Sequence, residues 1–190
     1  TILLNPAQQA AALHAVDVWN EVANINAVKI GEGGTGGPGT PVTGNGTLVN
    51  GLGGTTGFGE TMVGRGDDSP NPQVNIDSVF ANGLNFFGTT YHDLFVNMNG
   101  SVSFGDFVST YTPTTITSGG TPLIAAFWAD VDSRLDTTEP IQTPPQVVYD
   151  LDTVNRVLTV TWPGVDYFSV ANATHVPKAN YFQLQLYDRG

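Results

Sequence analysis

The chain has 190 residues, and 17 acidic side chains against 6 basic ones set its net charge at −11. A field of that sign repels phosphate backbones and anionic bilayers, which excludes nucleic acid and acidic membrane surfaces as partners. The lack of any cysteine removes disulfides, thiolate catalysis and Cys-ligated zinc.

In chain order, residues 5–24 are expected to form a helix. Asn5 suits the cap and Pro6 the first helical position. Ala12, Leu13, Val16, Trp19, Val22 and Ala23 then recur on one helical face. Residues 25–30 alternate as a short strand. The stretch 31–57 holds a dense run of glycine and is expected to be a linker or long loop between this N-terminal unit (1–30) and the remainder of the chain. From residue 58 the pattern is β. VNIDSVF (74–80) alternates, and LNFFG (84–88) comes after it. DLFVNMNGSVSFG (93–105) predicts two strands joined by a two-residue turn at Asn99-Gly100, with Phe95, Met98, Val102 and Phe104 facing the core. PLIAAFWADV (122–131) is continuously apolar, which predicts one strand buried on both faces. QVVYDL and RVLTVTWPGV predict a hairpin around 152–155. In YFQLQLYD the alternation places Phe182, Leu184 and Leu186 on one face. The sum is a mainly β chain: an antiparallel, sandwich-like domain over 58–190 with one N-terminal α-helix. Charged residues are only 12% of the chain, about half the usual share, and Gly 23 and Pro 12 are high. That balance gives a turn-rich, uncharged polar surface of extracellular character. No run of about 18 apolar residues is present to span a bilayer as a helix.

Several motifs carry a family resemblance. GFGETMVGRGDD, LNFFGTTYHDLFVNMNGSVSFG, TPLIAAFWADVDSR, VLTVTWPGVDYF and NYFQLQLYD occur in this order. Together, over about residues 51–190, they resemble the nidogen-like (NIDO) extracellular domain. The opening GLGGTTGFGE is similar to the bacterial branch of that family. The resemblance implies a secreted or cell-surface, non-catalytic module for cell–matrix adhesion or surface assembly, with extracellular protein or matrix ligands as partners. Members of the family usually continue with a further strand pair, so the domain is expected to be incomplete at its C-terminus. Its open sheet edge would then invite strand addition or self-association, as in a filament or surface-layer subunit. NPAQQAAALHAVDVWNEVANI resembles the first helix of serralysin-type secreted metalloproteases. The HExxH motif of that family is missing, since His14, His92 and His175 are far apart. The competing reading is therefore an accessory region of a zinc protease whose catalytic motif lies elsewhere.

Candidate sites are acidic. Asp130 and Asp132 come directly after the apolar run in ADVDSR, and alternate carboxylates at a strand end can present oxygens to calcium. Arg134 offers the alternative of an ion-paired structural cluster. Asp67 and Asp68 form a second candidate calcium pair, and Asp106 and Asp136 are further ligand material. No cofactor other than calcium is expected. Arg65-Gly66-Asp67 spells an integrin-recognition tripeptide, but such a tripeptide arises often by chance, and a turn in which Asp67 and Asp68 bond local backbone is the better explanation. Tyr91, Tyr111 and Tyr167 are candidates for stacking on sugars or for packing. Asn45, Asn99 and Asn172 each open an Asn-X-Ser/Thr acceptor pattern. No carboxylate pair, serine elbow or phosphate-cradling loop is nominated, so no catalytic residue is assigned.

Overall fold

A computed structural model describes residues 48–115, 119–134, 146–168 and 179–189, with the backbone of Ile25–Asn26. The helix expected over 5–24 lies outside these residues. The described part is built of strands: β1 Ile25–Asn26, β2 Thr61–Met62, β3 Gln73–Asn75, β4 Leu84–Phe86, β5 Thr89–Tyr91, β6 Asp93–Asn97, β7 Ser101–Ser103, β8 Leu123–Ala125, β9 Val131–Asp132, β10 Val148–Asp152, β11 Val157–Tyr167 and β12 Asn180–Tyr187.

The six-stranded sheet runs β1-β12-β11-β10-β2, with β9 paired to the far end of β11. A four-stranded sheet runs β3-β6-β7-β8, and β4-β5 forms a separate hairpin. The pairings within all three sheets are antiparallel. Ile25 pairs with Leu186, so β1 covers part of the outer edge of β12.

Strand alternation explains the interior. Leu158 faces Leu186, Val160 faces Leu184 and Trp162 faces Phe182 across β11 and β12. These residues share one buried cluster with Val74, Leu94, Val96, Met98, Val102 and Phe104 of the other sheet and its loops. The indole of Trp162 stacks on Phe182 at 4.8 Å between centroids and donates from Nε1 to the carbonyl of Met98 at 2.9 Å, tying the two sheets together. A register shift between Pro163 and Val165 changes the parity, so that Val165 also points inward. The in-between residues of β11 and β12 are Thr and Gln, and they are buried too. Gln183 donates to Thr161 Oγ1 at 2.8 Å and to the carbonyl of Val49 at 2.9 Å. Val49 N–H returns a bond to Gln183 Oε1 at 3.0 Å. Leu48 and Phe58 join Val148 in a smaller buried cluster on this face. The polar outer face is therefore satisfied by the segment that leads into the domain.

The hairpin at 152–155 forms as the alternation predicts, with Asp152 facing Val157. Asp152 Oδ1 accepts from Val154 and Asn155 N–H at 2.9 and 2.8 Å, a local turn that holds its carboxyl below the usual range.

Three expectations need correction. The β6–β7 turn has three residues, because Asn97 closes it against Ser101. Met98 continues the inward alternation of Leu94 and Val96, and Gly100 at φ +85° makes the reversal. The inward face is thus 94/96/98, and Phe95 instead lies half-buried on the other side, its ring centroid 6.5 Å from that of Phe107. The apolar run 122–131 is not one strand. It breaks after Ala125, because Ala126 and Phe127 N–H turn back to the carbonyl of Gly100 at 3.0 and 3.1 Å. Phe127 is left 44% exposed, so apolar content alone mistook a chain reversal for a buried strand.

Candidate functional site

Three segments meet at one end of the domain: the loop after β2 (64–68), the β6–β7 turn, and the chain around β9 (128–134). Asn99 joins them. It is 2% exposed. Its Oδ1 accepts from Val131 N–H at 2.9 Å, and its Nδ2 donates to Asp68 Oδ1 at 2.7 Å and reaches the Ser109 carbonyl at 3.4 Å. Its own carbonyl accepts from Ala129 N–H at 3.3 Å. Ser133, fully buried, makes the second join. Its Oγ lies 3.0 Å from both the N–H and the carbonyl of Gly66, and its N–H donates to the Gly66 carbonyl at 2.9 Å. Two residues earlier, where β6 enters the same turn, Asn97 uses both amide groups in the same way. It donates to Ser101 and Ser103 Oγ at 3.0 Å and accepts from Val108 N–H at 2.9 Å.

This scaffold brings the two candidate calcium pairs into one place. Carboxylate oxygens of Asp67, Asp68 and Asp130 lie within 4.8 Å of one another. Asp132 sits beside them, held by Arg134 through a two-pronged pair with contacts at 3.0 Å (Nε to Oδ1) and 2.6 Å (Nη2 to Oδ2). Arg134 also reaches Asp67 Oδ2 at 3.1 Å and lies over the Phe168 ring at 5.4 Å. The bonds to Asp132 hold the guanidinium above its usual range. Asp67 Oδ1 is buried and has no hydrogen-bond partner. Burial pushes the Asp67 carboxyl up to about 6, against the pull of Arg134. Asp130 is raised as well, by burial first and then by Asp68 and Asp132. The cluster thus carries more negative charge than Arg134 balances.

The Arg65-Gly66-Asp67 tripeptide is not displayed. The Arg65 guanidinium donates to the Ser133 carbonyl at 2.8 Å, the Gly66 backbone is spent on Ser133, and Asp67 turns to Arg134. These residues are structural ties. Asn99 cannot carry a glycan in this fold, since its amide is buried and bonded; Asn45 and Asn172 lie outside the described residues. Asp106 is absent from the acidic cluster, its Oδ1 accepting from its neighbour Phe107 N–H at 2.8 Å, and Asp136 lies outside the described residues. Tyr91 packs on Phe104 at 4.9 Å between centroids, while Tyr111 and Tyr167 are exposed at 51% and 39%. His92 is exposed and bonds Asp77 through Nδ1 at 2.6 Å, which holds the Asp77 carboxyl low; His14 and His175 lie outside the described residues.

A groove of about 250 Å³ opens beside this end, lined by Val108, Thr110, Thr115, Thr121, Leu123 and Trp128 among others, with no charged side chain among the described lining residues. Trp128 is fixed there by an Nε1 bond to the Thr110 carbonyl at 2.8 Å.

Sequence reasoning missed the roles of Asn99 and Ser133. The Asn-Gly pair pointed to a turn and hid the amide's inward bonds. The signal for Ser133 was its place between two charged residues in DSR, where a hydroxyl at 0% exposure is unexpected.

A family model described as NIDO related matches residues 45–190. Human alpha-tectorin is 29% identical over 147 residues, a match covering 69% of this chain and 6% of that protein. Mouse alpha-tectorin matches with the same identity and coverage. The chain therefore spans a small fraction of the length of these curated relatives. No solved structure matches significantly.

Proposed function

The chain belongs to the NIDO-related family, and from that premise we propose that it is a non-catalytic extracellular module for adhesion or surface assembly. The proposed β domain (58–190), with the glycine-rich stretch (31–57) leading into it and Ile25–Asn26 of the N-terminal unit (1–30) paired along the edge of β12, carries loops outward to protein or matrix ligands. The observation that supports this reading is how the polar side chains at the loop end are used. Asn97, Asn99, Ser133, Arg65 and Arg134 are spent on holding loops to one another. A catalyst would instead need a converging nucleophile, base and oxyanion donor with room for a substrate. The cysteine-free chain and the GLGGTTGFGE opening favour the bacterial branch of the family. The reading is tested by saturable binding of the full chain to purified collagen and fibronectin coats. The expected result is specific, protein-dependent binding to a matrix coat. Hydrolysis of a casein or chitin substrate by the pure protein, without such binding, would contradict it.

The acidic cluster supports a second, compatible proposal: Asp67, Asp68 and Asp130 take one calcium ion, with Asp132 beside them. The orphaned, buried Asp67 Oδ1 is the observation that favours it, because a hard cation would satisfy an oxygen that no donor reaches. Calcium binding to the folded state alone raises the melting temperature. The rise should vanish in Asp67→Asn and in chelator. No shift at saturating calcium would retire the metal.

A further inference from the structure

The sequence holds four Asn-Gly pairs, at 45–46, 50–51, 82–83 and 99–100. An asparagine followed by glycine is open to attack by its own backbone. The glycine nitrogen reaches the side-chain carbonyl carbon, because glycine has no Cβ to shield it. Folding decides which pairs keep that freedom. The structure describes three of the four and separates them sharply.

Two pairs are blocked. Asn99 is 2% exposed, its amide is bonded to Val131 and Asp68, and the Gly100 N–H donates to the Asn97 carbonyl at 3.3 Å. Asn82 is exposed, but the nitrogen that would attack it is held: the Gly83 N–H donates to the Phe80 carbonyl at 2.7 Å. The space about Gly83 is closed as well, since a Cβ there would stand 2.5 Å from Thr90 Cγ2 and 3.0 Å from the Tyr91 carbonyl oxygen. Asn50-Gly51 differs on every count. Both residues are exposed. Among the described residues, neither the Asn50 side-chain amide nor the Gly51 N–H has a hydrogen-bond partner. A Cβ placed on Gly51 would meet nothing within 4 Å. The pair also lies between two fixed points. Val49 before it is tied to Gln183 through its N–H and its carbonyl at 3.0 and 2.9 Å, and the Leu52 N–H after it donates to the Gly57 carbonyl at 3.0 Å. It is a free joint between two anchors.

We propose that Asn50 is a self-modifying site, at which the folded chain converts asparagine into a mixture of isoaspartate and aspartate. The Gly51 nitrogen bonds to Asn50 Cγ and gives up its proton. The bond from Cγ to the side-chain nitrogen breaks, and ammonia leaves. Water then opens the resulting succinimide ring at either of its carbonyls. Attack at Cγ gives aspartate; attack at the backbone carbonyl gives isoaspartate, in which the main chain runs through Cγ. Water is the sole co-reactant, and nothing is oxidised or reduced. Each conversion adds one negative charge to a chain that already carries −11, and the isoaspartate form lengthens the joint between Val49 and Leu52 by one carbon. The chemistry needs no ligand and is independent of the adhesion reading.

Ageing the full chain for weeks at mildly alkaline pH, folded and in concentrated urea, tests this by peptide mapping. Asn45 and Asn50 share the tryptic peptide 30–65, so electron-transfer fragments are used to place the change and to tell isoaspartate from aspartate. In the folded chain Asn50 should convert at least about tenfold faster than Asn82 or Asn99. In urea the three should agree to within about threefold, because each is followed by glycine and the fold alone sets them apart. An Asn50 that stays intact in the folded chain overturns the proposal. So does conversion of folded Asn82 or Asn99 at the rate of Asn50. Aspartate without isoaspartate at this position overturns it too, since a succinimide opens to both.

Discussion

Asn99→Ala would remove the side chain that joins three loops, and its cost can be worked from the bonds. Val131 is 1% exposed, and its N–H loses its acceptor at 2.9 Å; a buried donor left unsatisfied costs about 1–3 kcal/mol. Asp68 loses a donor at 2.7 Å. Bonds to charged groups are worth about 1.5–3 kcal/mol, and the low end applies because Asp68 is only half-buried and water replaces part of the bond. The contact to Ser109 at 3.4 Å adds little. The sum is about 3 kcal/mol, or roughly 6–12 °C in melting temperature for a chain of this size. Urea unfolding followed by tryptophan fluorescence reads it, Trp162 being fully buried. Asn99→Asp supplies a control of the same shape. It sets a carboxylate against Asp68, so it should cost more than Asn99→Ala, and less as added salt screens the repulsion. A loss under about 1 kcal/mol in Asn99→Ala would refute the idea that this amide holds the loop cluster together.

Gly100→Ala should cost more than about 3 kcal/mol or prevent folding, because its Cβ would stand 1.8 Å from the Phe127 carbonyl at a φ of +85°; denaturation midpoint or soluble yield reads it. Phe87 turns the β4–β5 hairpin at a φ of +50°, so Phe87→Asn should stabilise the domain by about 1 kcal/mol, the relief of left-handed strain in a turn that Asn tolerates, seen as a higher urea midpoint in dilute solution. Asp67 gives a pH signature. Its folded value of about 6 exceeds the ordinary 3.8, so the folded state holds a proton that the unfolded chain has lost. Its penalty is absent below about pH 4, grows through the window between these values and is complete above about 6. Its side chain is 16% exposed, and with screening the penalty is about 1–2 kcal/mol. In chelator, the stability difference between Asp67→Asn and the natural chain should therefore change by that amount across the window. Parallel pH profiles would contradict it.

Period-two alternation made much of the fold legible in the residues. Leu184 and Leu186 alternate with Gln183 and Gln185, and the structure puts the first pair in the interior and the second on the satisfied outer face. The 152–155 hairpin was readable because an Asp opens it. Asp67/Asp68 and Asp130/Asp132 were each visible as acidic pairs. Their union was not, because it depends on Ser133 bonding Gly66 and on β9 pairing with the end of β11, contacts between residues far apart in the chain. The run 122–131 misled for a related reason. Its backbone turns on the Gly100 carbonyl, and nothing in local apolar content reports a partner distant in sequence. The strained Phe87 was equally hidden, since Phe-Gly does not advertise a type I′ turn as Asn-Gly does.

Hydrogen exchange of the backbone amides tests the central claim, that two sheets close on one interior and carry the loops outside it. Amides of Leu158, Val160 and Leu184 in one sheet, and of Val96 and Val102 in the other, should exchange slowest and with a common free energy of opening. Separate openings for the two sheets, or fast exchange along β11, would contradict the shared interior on which the proposed role rests.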